Sequence, residues 1–276
     1  MKQSTRQRWG RWVLIALALV AASVATMSRL ETTFDVSAET ETLRVQSGAM
    51  TWLLDRVALS EGYGGRADTV SGILDLESGT EIVFERAGLG PLNIVCGAPR
   101  AGSIGTFRPG AGDRARQIGA RAVLVINQPS ARGNAGRPVV LPIVGTVELG
   151  RVVGVGSAGP VLRAARVMTL GHTLLGHGRY RAGEALLGPG DRLQVVGVSG
   201  PAFGLVKVDE RPAFAASYRV LGREGLVSRY GGDGYAISTS LRDRLLNDGV
   251  VQGIWLTLFL ILGWERRLHR RAEEAT

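Results

Sequence analysis

Few side chains in this 276-residue chain have both the type and the spacing that chemistry requires. The single cysteine, Cys96, excludes an intrachain disulfide framework and a four-cysteine zinc site. The histidines are His172, His177 and His269. A thiolate beside an imidazole is a nucleophile for acyl transfer, so Cys96 with His172 and an aspartate is one candidate arrangement. No local signature surrounds it, and Cys96 closes the apolar run Leu92 to Val95, where a thiol packs as a small inert residue. The second candidate is a metal site, since His172, His177 and Glu184 supply nitrogen and oxygen ligands suited to zinc-assisted hydrolysis. On one helix, however, residues five apart point about 140° from each other, because each residue turns about 100°. Zinc pairs on helices use the i, i+4 spacing, and only a helix that ends at Gly176 lets His177 swing round toward Glu184. The sequence assigns no catalytic residue, no cofactor and no resident metal.

The elements that must position these residues read as short strands. Val70 to Phe84 predicts a hairpin turning at Ser78-Gly79. Pro91 to Cys96, Ala122 to Ile126, Leu193 to Val198, Leu205 to Val208, Tyr218 to Leu221 and Tyr235 to Ile237 predict further strands, with a tight turn over Gly188 to Asp191. Val139 to Val155, rich in Val and Gly and containing Pro142, predicts several short strands with tight turns. Pro160 opens and Gly176 closes a helix predicted over Val161 to Leu175, which carries His172. Ser238, Thr239 or Ser240 caps a short helix predicted over Leu241 to Leu246. Polar Glu31 to Thr42 predicts a linker, and the glycine-rich stretch Ala101 to Arg116 a connection between subdomains. The organisation that follows is a β-rich first subdomain, 31–110, and an α+β second subdomain, 111–248.

Two apolar runs bracket these subdomains. Trp12 to Met27 follows Lys2, Arg6, Arg8 and Arg11, and Val250 to Trp264 precedes Arg266, Arg267, Arg270 and Arg271. About 20 mostly apolar residues cross a bilayer, and an excess of arginine marks the cytoplasmic side. The sequence therefore predicts transmembrane helices over 12–28 and 249–264, cytoplasmic tails over 1–11 and 265–276, and an extracytoplasmic central domain. The first run also fits a cleaved signal peptide, with Ser23 to Ala25 as the cleavage site.

The net charge of +9 is unevenly spread. Residues 31–110 carry 6 basic and 11 acidic side chains, whereas 111–248 carry 18 basic and 10 acidic. Only Lys2 and Lys207 are lysines, and the abundance of Ala, Gly, Val and Arg suggests a GC-rich bacterial genome. No Walker A sequence and no G-x-G-x-x-G between a strand and a helix is present, which leaves nucleotide binding unsupported. Aromatic residues make up 6% and are not interleaved with basic clusters, which argues against nucleic acid as a partner.

From Gly178 onward the sequence resembles a known family. Arg179-Tyr180-Arg181 to Glu184-Ala185-Leu186-Leu187, followed by Gly188-Pro189-Gly190-Asp191 and Leu193 to Gly197, is similar to a segment of the GIDE/MULAN-type membrane proteins. Tyr235-Ala236-Ile237-Ser238, then Leu241 to Leu246 and a terminal apolar run, resembles that family's strand, short helix and second span. The resemblance implies a membrane-flanked, β-rich domain. The ligases of that family add a RING module with about eight Cys and His ligands; the chain lacks those residues, so no catalytic residue is carried over.

The fold class predicted is thus an α+β, strand-dominated extracytoplasmic domain flanked by two transmembrane helices in the cell membrane. The function predicted is non-catalytic, membrane-anchored binding, sensing or scaffolding. Its partners would be membrane lipids and a membrane-protein or envelope component, with no nucleic acid and with the oligomeric state open. The alternative is a membrane-bound hydrolase using Cys96 or the His172, His177 and Glu184 group.

Overall fold

Alternation of buried and exposed side chains, the signature of a strand with one face in a core, runs through most of the molecule. The computed structural model describes residues 31–62, 65–99, 102–110, 114–127, 138–152, 161–173, 178–229, 231–257, 259–260 and 263. The strands of the first half are β1 (Thr32–Thr40), β2 (Thr42–Ser47), β3 (Met50–Glu61), β4 (Asp68–Leu76), β5 (Glu81–Glu85), β6 (Leu92–Gly97), β7 (Gly105–Pro109), β8 (Arg116–Ile118) and β9 (Arg121–Ile126). Those of the second half are β10 (Val139–Gly150), β11 (Leu162–His172), β12 (Arg179–Leu187), β13 (Arg192–Val196), β14 (Ala202–Val208), β15 (Phe214–Gly222), β16 (Glu224–Ser228) and β17 (Tyr235–Ile237). Helix α1 (Leu241–Asn247) follows, and residues 249–257, 259–260 and 263 are again helical.

The chain divides into two units. A strand unit holds Thr32–Leu170 and Arg181–Ser238; the other unit includes Glu31, the described part of Gly171–Tyr180 and the described residues from Thr239 on. Within the strand unit one antiparallel ladder runs β2, β5, β6, β9, β3, β4, β7, β8. A second runs β10, β14, β15, β1, and β1 also pairs with β11. Strands β13 and β14 take successive lengths of β10, while β16 pairs with β13 and β17 with β16. The two ladders are joined where β10 meets β2, from Gly145↔Ser47 to Leu149↔Leu43. They are joined again through β1 and β2, which are separated only by Glu41.

The core lies where both ladders turn their apolar sides. Trp52, Phe84 and Phe214, from β3, β5 and β15, are buried and meet as tilted rings at centroid distances of 5.9 Å and 6.3 Å. Trp52 also donates its indole N–H to the Pro142 carbonyl at 2.8 Å. A residue's N–H and C=O point to the same side of a strand, so Pro142 turns its missing donor toward Trp52 and away from the β14 ladder. This is why a proline sits inside a 12-residue strand where several short strands were expected.

Several other expectations are corrected. The predicted helix over Val161 to Leu175 is strand β11, in which Ala165, Val167 and Thr169 face inward and Arg166 and Met168 outward. Small and polar inward residues concealed its period of two, and β1, more than a hundred residues earlier, supplies its partner. The predicted linker Glu31 to Thr42 contains β1, whose inward side is Thr32, Phe34, Val36, Ala38 and Thr40. The strands on either side of Ser78-Gly79 exist but do not pair with each other: β4 pairs with β3 and β7, β5 with β2 and β6.

The two flanking transmembrane helices, and with them the double-pass cell-membrane localisation, are overturned. Among the described residues no helix is long and apolar enough to cross a membrane. The first predicted span, 12–28, and the predicted tails 1–11 and 265–276 lie outside the described residues. In the second, residues 249–257, 259–260 and 263 are helical, and no described helix there has the length and apolar run that a crossing needs. Val250, Ile254, Trp255 and Leu256 are exposed on that stretch. An apolar run without a polar face reads the same whether or not it spans, which is how the sequence misled. The extracytoplasmic placement of the central domain and its membrane anchoring depended on those spans and fall with them.

Candidate functional site

The sequence-predicted residues divide between the two units, Cys96 and Glu184 in the strand unit and His172 in the other. Cys96 sits on the inward face of β6 between Ile82 and Ala122, fully buried, and burial pushes its thiol up to about 12. At neutral pH it is a protonated, shielded thiol rather than a nucleophile. Glu184 on β12 accepts from Arg166 at 2.9 Å and also from Arg181, and the Arg166 hydrogen bond holds its carboxyl below the usual range. That carboxylate is committed to guanidinium groups. His177 and His269 lie outside the described residues. Among the described residues no group of three His, Cys, Asp or Glu side chains can hold a metal ion.

His172 belongs to the other unit, where Arg244 is the organising residue. Arg244 is buried and donates from Nε and Nη2 to Thr239 Oγ1, at 3.1 Å and 2.6 Å, and from Nη2 to the Glu31 carbonyl at 2.9 Å. Burial first, then Arg179 and Arg244, lowers the His172 pKa and favours the neutral imidazole. Helix α1 begins at Ser240, which accepts from the Asp243 N–H at 3.1 Å as an N-cap should.

A second buried arginine shapes the strand unit. Arg86 donates to the carbonyls of Gly90 at 2.9 Å, Asp209 at 3.0 Å and Ala213, pinning the loop between β14 and β15 against the loop after β5. Ala213 adopts a left-handed φ of 68° there. Asp191 is buried as well, accepting from Arg229 Nε and Nη2 at 2.8 Å each and from the Gly188 N–H at 3.0 Å. Gly190, at φ 80°, completes this predicted turn.

What the fold does assemble is the outward face of β1, β15, β14 and β10. Registration of the ladders sets three rows of side chains across it: Asp35, Arg219, Phe203, Val144; Ser37, Ser217, Leu205, Pro142; and Glu39, Ala215, Lys207, Val140. Because directly opposed residues share a face, Phe203, Leu205, Val140 and Pro142 form one apolar ridge on β14 and β10. Phe203 is 60%, Val140 50% and Leu205 40% exposed. Beside the ridge lies a groove of about 380 Å³ floored by small residues, among them Ser37, Ala164, Ala215 and Ser217, with Leu186 and Pro212 at its sides. Glu39, Arg166, Asp209 and Arg211 also line it. Arg166 is paired with Glu184, Asp209 with Lys207 at 3.8 Å, and Asp35 with Arg219 at 2.7 Å. The loop pinned by Arg86 forms one wall, so a buried guanidinium sets the shape of an exposed groove.

Sequence reasoning missed this face. Leu205 and Val140 lie in stretches it read as strand and Phe203 lies outside them, and the rows exist only in the register between strands of both halves of the chain. Comparison with protein-family profiles, with curated proteins and with solved structures finds no match.

Proposed function

We propose that the chain is a non-catalytic binding or scaffold protein that docks a protein partner on the outward face of β1, β15, β14 and β10. The observation that carries this reading is the ridge of Phe203, Leu205, Val140 and Pro142. Single exposed apolar residues are ordinary on protein surfaces, but a contiguous apolar strip bordered by ion pairs is the composition of an interaction surface. The groove beside it lies within the ~300–1,000 Å³ range of clefts that receive ligands or side chains. Acids and bases alternate along the face, which gives a polyanion such as nucleic acid no electrostatic purchase. The segments similar to GIDE/MULAN-type proteins form β12, β13, β17 and α1. In this reading they frame the fold, and no catalytic residue comes with them.

A photo-crosslinking residue tests the proposal. Placed at Leu205 in the full-length protein in its native extract, it is expected to form a discrete protein adduct; placed at exposed Glu77 it is not. No adduct at Leu205, or the same adducts at both positions, overturns the docking face.

A further inference from the structure

We propose that the partner on this face is a second copy of the chain, the two faces stacking so that the ridge of each lies in the groove of the other. The inference rests on the docking-face reading above and names its occupant. Shape supports it first. Ridge and groove stand side by side on one sheet, Leu205 directly opposite Ser217 and Phe203 directly opposite Arg219. A half-turn that places one copy's β14 over the other's β15 therefore fills both grooves at once. Such a contact is isologous and closes at two subunits.

Charge supports it as well. With Arg166 satisfied by Glu184, the face and groove hold Asp35, Glu39 and Asp209 against Lys207, Arg211 and Arg219. Three acids and three bases balance, so a duplicate of the face brings no net charge of either sign against it. Among the described residues Glu39 and Arg211 form no ion pair, although both line the groove. That leaves one side chain of each sign to meet its opposite from the second copy. A partner with a strong charge of either sign would leave half of these groups facing like charge.

The test is the mass of the purified full-length protein by sedimentation velocity, for the parent chain and for Phe203→Glu and Ser217→Arg separately and mixed. Both substitutions fall on exposed positions, so thermal melting should report intact folds. The parent chain is expected at twice 29.3 kDa. Each single variant should weaken self-association by about tenfold or more, as the loss of an interface anchor does. An equal mixture of the two should restore the dimer, because the carboxylate introduced on one ridge then meets the guanidinium introduced in the other copy's groove, while the second ridge and groove remain native. A monomeric parent chain overturns the proposal, and so does a dimer that persists in both single variants or is not restored by mixing. If the parent chain is monomeric yet the Leu205 crosslink captures a different protein, the docking face stands and only its assignment to a second copy fails.

Discussion

At the scale of single residues, the buried polar side chains Arg86, Asp191 and Arg244 tie segments of the chain together. Asp191 is the clearest case, a buried carboxylate held by both nitrogens of one face of Arg229 and by the Gly188 N–H. The Arg229 hydrogen bond is the main cause that its pKa lies below the ordinary carboxylate value, with burial opposing. The unfolded chain therefore takes up this proton more readily than the folded one. The stabilisation is fully present above the ordinary carboxylate range and is lost as pH falls through the depressed folded value. Asp191→Asn should cost about 2 kcal/mol at neutral pH, the range for hydrogen bonds to charged groups. It should also flatten the acid limb of stability, measured by urea unfolding between neutral pH and the carboxylate range; an unchanged acid limb would show that other carboxylates set it. The inert packing of Cys96 was legible in the apolar run before it. Arg86 and Arg244 were not, because an arginine reads as a surface residue unless its acceptors are visible. Those of Arg86 include carbonyls 123 and 127 residues away.

At the scale of elements, β10 is the strand on which the fold turns. Gly145 marks the point where its pairing passes from β14 to β2, opposite both Ala202 and Ser47. It adopts φ 143°, and a Cβ there would stand 2.0 Å from the Gln46 carbonyl oxygen. Gly145→Ala should therefore cost about 3 kcal/mol or more, read as a lowered denaturation midpoint at unchanged slope. Strand β13 gives a paired comparison. Leu193 and Val195 are buried on one side, while Arg192 reaches Glu148 at 2.8 Å on the other. Val195→Asp places an unpaired charge in the core and should cost about 4 kcal/mol. Arg192→Ser breaks only a partly exposed pair and should stay within about 1 kcal/mol by thermal melting; a reversal of that order would invert the faces. The faces of β13 were legible because Leu and Val alternate there with polar residues. Those of β11 and β1 were not, because Ala, Thr and Gly occupy many of their inward positions and carry almost no hydropathic contrast.

At the scale of the whole molecule, strand dominance could be read from the sequence and the ladder order could not. Composition and turn residues announce strands, but which strand finds which partner is fixed by packing between segments far apart, as with Trp52 reaching Pro142. The apolar run at 249–264 was read as a span because length and hydropathy at the margin do not separate a crossing helix from an exposed apolar one. The outward face of β1, β15, β14 and β10 belongs to this scale too: each of its rows draws on strands from both halves of the chain.

The pairing of β1 with β15 also sets a clock. Thr32 lies opposite Gly222 and Thr40 opposite Phe214, so the first strand of the unit completes its hydrogen bonds with one of the last. At ~5–20 residues per second of synthesis, roughly 10–40 s separate the two. Once β9 has emerged the ladder from β2 through β9 has all its strands and can form, while β1 trails from it with both edges open until β11 emerges and with one edge open until β15 follows. The newborn chain is then most exposed to strand-mediated misassembly at its beginning rather than at its growing end, and a factor that shields it would need to hold residues 32–40 until β15 emerges.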